Sequence, residues 1–145
     1  MNDTLLRQEL INFEGYKEVV YLDTKRLPTG GIGHMDRNMI PGTLLSTDQI
    51  NNWYQNDVAN AIAVCKKIPC WATLDEFRQR ILVQLAFNMG RKLLGFTHMI
   101  TALTKGDFDT AATELQASEW YSEVGRRGPI SVAALRNGYY NWELK

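Results

Sequence analysis

Glu14 and Asp23 frame a segment that runs to His34 and also carries the hydroxyl of Thr29 and the glycines Gly30, Gly31 and Gly33. This set suits acid/base cleavage of a glycosidic bond. Such cleavage needs one carboxylic acid to protonate the leaving oxygen. It also needs a second carboxylate to activate water, the pair being about 6.5–9.5 Å apart in an inverting reaction. Glu14 falls where a first helix should end, at the negative end of the helix dipole, a place that suits a proton donor. Asp23 falls in a polar turn, which suits a charged base, and two carboxyl groups in contrasting surroundings can divide the acid and base roles. Thr29, on the strand returning from that turn, can hold the attacking water beside Asp23. Taken singly, a helix-end Glu and a turn Asp are ordinary surface residues; it is their combination that carries weight.

The elements that must position these groups can be read from spacing. Leu5, Leu6, Leu10, Ile11 and Phe13 recur at helical intervals, with Asp3 as cap and Gly15 as stop, which predicts a helix over residues 3–14. Val19–Leu22 and Leu27–Ile32 predict strands joined by the turn Asp23-Thr24-Lys25-Arg26, with Pro28 at an edge position and a third strand over Met39–Leu45. A long helix over about 47–67 follows. Ser46 and Gln49 form its capping box, Leu45 and Ile50 its staple, and Pro69 its end. Its apolar stripe is Trp53, Tyr54, Val58, Ala61, Ile62 and Cys65. Thr73 and Glu76 form a second capping box, opening a helix that closes at Gly90. Later helices start near Thr97, Asp107 and Pro129, with Gly106 and Gly138 as stops. Trp53, Trp71, Trp120 and Trp142, in these helical surroundings, read as core.

Strands thus crowd into the first third and helices fill the rest, the α+β class with segregated layers. The expected organisation is one domain over residues 1–145. A small sheet lobe covers about 15–46; a helical lobe covers about 67–145 together with the N-terminal helix 3–14; the helix over about 47–67 connects them. A cleft is expected at the junction.

Apolar residues make up 45% of the chain, enough for a core, and sixteen basic residues balance sixteen acidic ones. Zero net charge argues against a nucleic-acid partner, which calls for a basic excess. No run approaches the roughly 18 apolar residues of a membrane span. Met1-Asn2-Asp3-Thr4-Leu5-Leu6-Arg7 lacks the basic start and apolar run of a secretory signal, so folding in a cytoplasm is expected. Cys65 and Cys70 have no partners at metal-ligand spacing, so no metal is expected. Free thiols are the plainer reading, with a short-loop disulfide left open. Gly30, Gly31 and Gly33 match neither a Walker motif nor a dinucleotide fingerprint, and no cofactor is expected. They let the hairpin backbone come close to a polymer chain or another segment.

Glu14-Gly15, then Tyr21-x-Asp23, then Thr29-x-Gly31-x-Gly33-His34 resembles the signature of the bacteriophage lysozymes of the T-even type, also called endolysins or muramidases. Gln55-Asn56-Asp57-Val58, Phe87-Asn88-Met89-Gly90, Gly95-Phe96-Thr97 and Ser118-Glu119-Trp120-Tyr121 have family counterparts in the same order, so the resemblance covers essentially the whole chain. It implies a lysozyme-like fold. It implies hydrolysis of the β-1,4 bond between N-acetylmuramic acid and N-acetylglucosamine in bacterial peptidoglycan, for host cell lysis. On this resemblance Glu14 is the acid, Asp23 the base or electrostatic stabiliser, and Thr29 the residue that positions water. Met35, Phe87 and Asn88 fall at substrate contacts, Asn88 replacing the more usual Gln. Met99 and Glu114 fall at further contact positions without matching the family residues. His34 paired with Asp57, and Arg127 set against Glu14, are implied as structural ties.

The resemblance further implies a monomer that folds in the host bacterial cytoplasm and acts in the periplasm on the wall, after a holin-type membrane protein has opened the way. The connection between His34 and the long helix is shorter than in larger family members, implying a reduced sheet lobe. Two other functions stay open. A lytic transglycosylase needs an acid but no water-activating carboxylate, so Asp23 and Thr29 count against it. A catalytically weak wall-binding module of a virion is the other.

Overall fold

The computed structural model describes residues 1–144. Among these are seven α-helices and one three-stranded antiparallel sheet, whose strands all precede the second helix. This is the α+β class that the order of elements predicts, and it fits the lysozyme-like fold that the family resemblance implies. The chain divides into two units, residues 2–60 and residues 61 onward, the latter with Met1. No helix among the described residues is long and apolar enough to cross a membrane.

In the first unit, α1 (Asp3–Glu14) is capped by Asn2 and not by Asp3: Asn2 Oδ1 accepts the Leu5 N–H at 3.0 Å. Asp3 is engaged elsewhere, its carboxylate accepting the Tyr54 hydroxyl at 3.2 Å. Burial, reinforced by the Asp3 carboxylate, pushes the Tyr54 phenol well above its ordinary value. Arg7 Nη2 donates to Asn51 Oδ1 at 3.1 Å. These two bonds fasten α1 to the first half of α2 (Thr47–Cys65). Both helices' bonded residues lie in the unit that also holds the sheet. At its other end α1 stops on Gly15, whose φ of +78° only glycine adopts freely and whose N–H bonds the Ile11 carbonyl at 2.8 Å.

The strands are β1 (Lys17–Leu22), β2 (Pro28–Gly31) and β3 (His34–Met35), in that spatial order. Pro28 therefore opens the central strand and does not mark an edge. As its first residue Pro28 pairs with Leu22 and accepts the Asp36 N–H at 3.2 Å, so its missing N–H interrupts no interior rung. The third strand is not Met39–Leu45. A turn at Pro41-Gly42, with Gly42 at φ +91°, breaks that run and leaves one bridge between Val19 and Leu44. The segment still lines β1: Val20 N–H bonds the Thr43 carbonyl at 2.9 Å, and Leu45 N–H bonds that of Glu18 at 2.7 Å. Ser46 Oγ accepts the Gln49 N–H at 3.1 Å and starts α2. Tyr54, Val58, Ala61 and Cys65 are the buried residues of its stripe, and the division between units falls within this helix.

In the second unit, α3 (Glu76–Met89) is capped by Asp75, whose carboxylate accepts the Arg78 N–H at 3.1 Å. Thr73, expected to cap it, sits inside a short 3₁₀ turn over Trp71–Thr73 and donates to the Cys70 carbonyl instead. Every residue from Arg80 to Ala86 is buried, so the middle of α3 is covered on all sides. After it come α4 (Thr97–Thr104), α5 (Phe108–Gln116), α6 (Glu119–Glu123) and α7 (Arg127–Asn137). α5 packs on both α4 and α7, and α7 also meets α3 and α6. Arg78 fastens α3 to the end of α7. Its guanidinium donates to the carbonyls of Leu135 at 2.8 Å and Arg136 at 3.1 Å, and lies 3.5 Å from the centre of the Phe108 ring. Of the four tryptophans, Trp120 alone is buried; Trp53, Trp71 and Trp142 are half-buried. Cys65 and Cys70 are free and buried, and burial pushes the Cys65 thiol up to about 12.

Candidate active site

The hairpin turn between β1 and β2 sets Asp23. Its Oδ1 accepts the N–H groups of Lys25 at 2.9 Å and Leu27 at 2.8 Å, a carboxylate-stabilised turn. The Asp23 N–H bonds the Leu27 carbonyl at 3.0 Å, and Arg26 takes φ +60° to close the loop. The second carboxylate oxygen, Oδ2, accepts no hydrogen bond among the described residues and is available to a ligand.

Thr29, on β2, is 4% exposed, and its Oγ1 donates to the same Leu27 carbonyl at 3.0 Å. With its proton directed there, the hydroxyl oxygen presents lone pairs only. One backbone residue thus holds Asp23 through its N–H and Thr29 through its carbonyl. A water between them could give one proton to each as hydrogen bonds, keeping its own lone pair for attack.

Glu14 is the last residue of α1. It packs on the turn between β2 and β3, where Gly33 has φ +61°. A Cβ at Gly33 would stand 2.7 Å from Glu14 Oε2 and 2.9 Å from its Cβ. Glycine is needed there both for the backbone conformation and to admit the Glu14 side chain. The close approach read into these glycines is thus made to other segments: Gly33 to Glu14, and Gly30 and Gly31 to Leu45 and Ile50. Glu14 and Asp23 are both half-buried, so neither is withdrawn from solvent.

Tyr21, on β1, reports their common neighbourhood. Burial raises its phenol above the ordinary value, and the charges of Asp23 and Glu14 raise it further.

His34 and Asp57 meet, His34 Nδ1 lying 2.7 Å from Asp57 Oδ2, and the imidazole stacks on Trp53 at 4.4 Å between centroids. This tie fixes β3 on α2. Met35 is 53% exposed beside it. Phe87, Asn88 and Arg127 belong to the second unit. Phe87 and Asn88 occupy the last turn of α3; Asn88 Oδ1 accepts the Trp120 indole N–H at 2.8 Å, which leaves its amide N–H groups as donors. Arg127 opens α7 and donates to the Gln84 carbonyl at 3.0 Å. Met99 is 1% exposed within α4, out of reach of a sugar.

Two residues beside the site carry no assigned role in the sequence reading. Leu27 acts through its backbone and leaves no side-chain signal. Tyr21 enters that reading only within the Tyr21-x-Asp23 motif, and lies on β1 two residues before the turn carboxylate. No group of three His, Cys, Asp or Glu among the described residues is placed to hold a metal ion.

The family described as phage lysozyme matches residues 11–137 of the chain. Among curated proteins the chain is similar to the pre-baseplate central spike protein Gp5 of Enterobacteria phage T4, 28% identical over 162 residues. That match covers 91% of this chain and 28% of the spike protein, so the chain spans little more than a quarter of the relative's length.

Proposed function

This chain belongs to the phage lysozyme family, whose activity is glycoside-hydrolase lysis of peptidoglycan, and on that footing we propose that it hydrolyses the β-1,4 bond between N-acetylmuramic acid and N-acetylglucosamine. Glu14 protonates the leaving glycosidic oxygen. Asp23, through Oδ2, takes a proton from water or steadies the developing positive charge, and Thr29 Oγ1 holds that water by accepting its other hydrogen. The observation that supports this most is the shared anchoring of Asp23 and Thr29 on Leu27. The sugar contact implied at Met35 belongs to the same proposal.

The biological setting we propose is lysis of the host, by a monomeric endolysin that reaches the wall after a holin-type protein has permeabilised the membrane. The likeness to a spike protein favours a second setting, in which the same chemistry opens the wall for a virion component. Product analysis tests the reaction itself. Digestion of purified peptidoglycan should release reducing muramic ends and incorporate one oxygen from ¹⁸O-water per cut. Anhydromuramic ends would assign transglycosylation instead.

A further inference from the structure

The register of the sheet lines up three side chains. Tyr21 pairs with Thr29 and Thr29 with Met35, so the three stand in a row on one face of the sheet. Their exposures differ sharply: 36% for Tyr21, 4% for Thr29 and 53% for Met35. The small threonine lies between two large, open, partly apolar side chains. The opposite face of β1 does the core work, through buried Val20.

The Tyr21 hydroxyl makes no hydrogen bond among the described residues, whereas the more buried hydroxyls of Tyr54 and Tyr140 are bonded to Asp3 and Gln84. Packing therefore leaves the open part of the ring and the unbonded hydroxyl unaccounted for. We propose that Tyr21 is a substrate-contacting residue that positions the glycan over Thr29 and Asp23. Its ring forms an apolar wall for the C–H face of a sugar, and its hydroxyl donates to an oxygen of the same sugar. With two carboxylates nearby the phenol keeps its proton throughout the neutral range, so it acts as a donor there. The role deepens the hydrolase reading and rests on it for the identity of the ligand.

The test separates the two. Tyr21→Phe keeps the wall and removes the donor; Tyr21→Ala removes both. Each is made in the wild-type background and with Glu14→Gln, which blocks turnover. Binding of β-1,4-linked N-acetylglucosamine oligomers to the Glu14→Gln proteins is measured by calorimetry, KM and kcat on soluble glycan strands in the active background, and stability by urea unfolding. Tyr21→Phe should weaken oligomer binding and raise KM by roughly fivefold, the worth of one neutral hydrogen bond, at unchanged urea midpoint. Tyr21→Ala should weaken binding by roughly a further tenfold, with kcat changed much less than KM. Unaltered binding and KM in both variants would overturn the role, as would losses that track the urea midpoint alone. Tyr21-dependent binding in a protein that cuts no glycan would support the role while refuting the hydrolase reading.

Discussion

The side chain of Glu14 rests directly on the α-carbon of Gly33, so closely that a methyl group at residue 33 would fall 2.7 Å from the Glu14 carboxylate. A helix end and a hairpin turn are thereby locked together at the proposed proton donor. Gly33→Ala should cost about 1–2 kcal/mol for its left-handed backbone alone. It should also displace the carboxylate, lowering wall-lytic activity by roughly 100-fold where both proteins are folded. Urea unfolding paired with cell-lysis rates checks this; an activity loss no larger than the unfolded fraction would detach Gly33 from the site.

Asp23 holds the turn with one oxygen and, in the proposed reaction, meets water with the other; substitution can divide the two. Asn at this position keeps an Oδ1 acceptor for Lys25 and Leu27 but removes the charge. Asp23→Asn should hold stability within about 0.5 kcal/mol and lower kcat by roughly 10²–10⁴-fold. Asp23→Ala should lose the turn as well, at about 1–2 kcal/mol. Equal kcat in wild type and Asp23→Asn would remove the charge from the mechanism.

The folded scaffold depends on Arg78, which joins α3 to the last carbonyls of α7. Arg78→Ala should destabilise by about 2–3 kcal/mol, since two partly buried carbonyls and the Phe108 contact lose a partner. Lysine should recover little, as it lacks the planar fork. Denaturant midpoints measure both.

Cys65 sets an alkaline limit. Its thiol has a raised folded value of about 12 against an unfolded value near 9.0, so the native state holds the proton more tightly. Between those values the unfolded state releases it first, and stability falls as pH rises. The urea midpoint of wild type should decline more steeply from about pH 9 upward than that of Cys65→Ala; other titrating groups, Tyr54 included, are common to both. Parallel curves would contradict the burial assigned to this thiol.

Local chemistry is what the sequence makes legible. Gly15, Gly90 and Gly138 end helices, and Asp107 and Ser46 begin them, because each acts on backbone within a few residues. The caps misread at Asp3 and Thr73 were claimed by other partners, the Tyr54 hydroxyl and the Cys70 carbonyl, which no local pattern announces. The third strand is two residues long and is defined only by its pairing with β2. In the proposed site, side-chain identity points to Glu14, Asp23 and Thr29. The Leu27 backbone that registers two of them, and the row Tyr21–Thr29–Met35, exist only once the strands pair.

The most direct measurement compares wild type and Glu14→Gln for turbidity loss of outer-membrane-stripped Gram-negative cells, at matched concentration of folded protein. The substitution keeps size and polarity beside Gly33 and removes the transferable proton. Lysis should slow by roughly 10²–10⁴-fold. Equal rates from the two proteins would show that Glu14 donates no proton and that the reaction assigned to this site does not occur there.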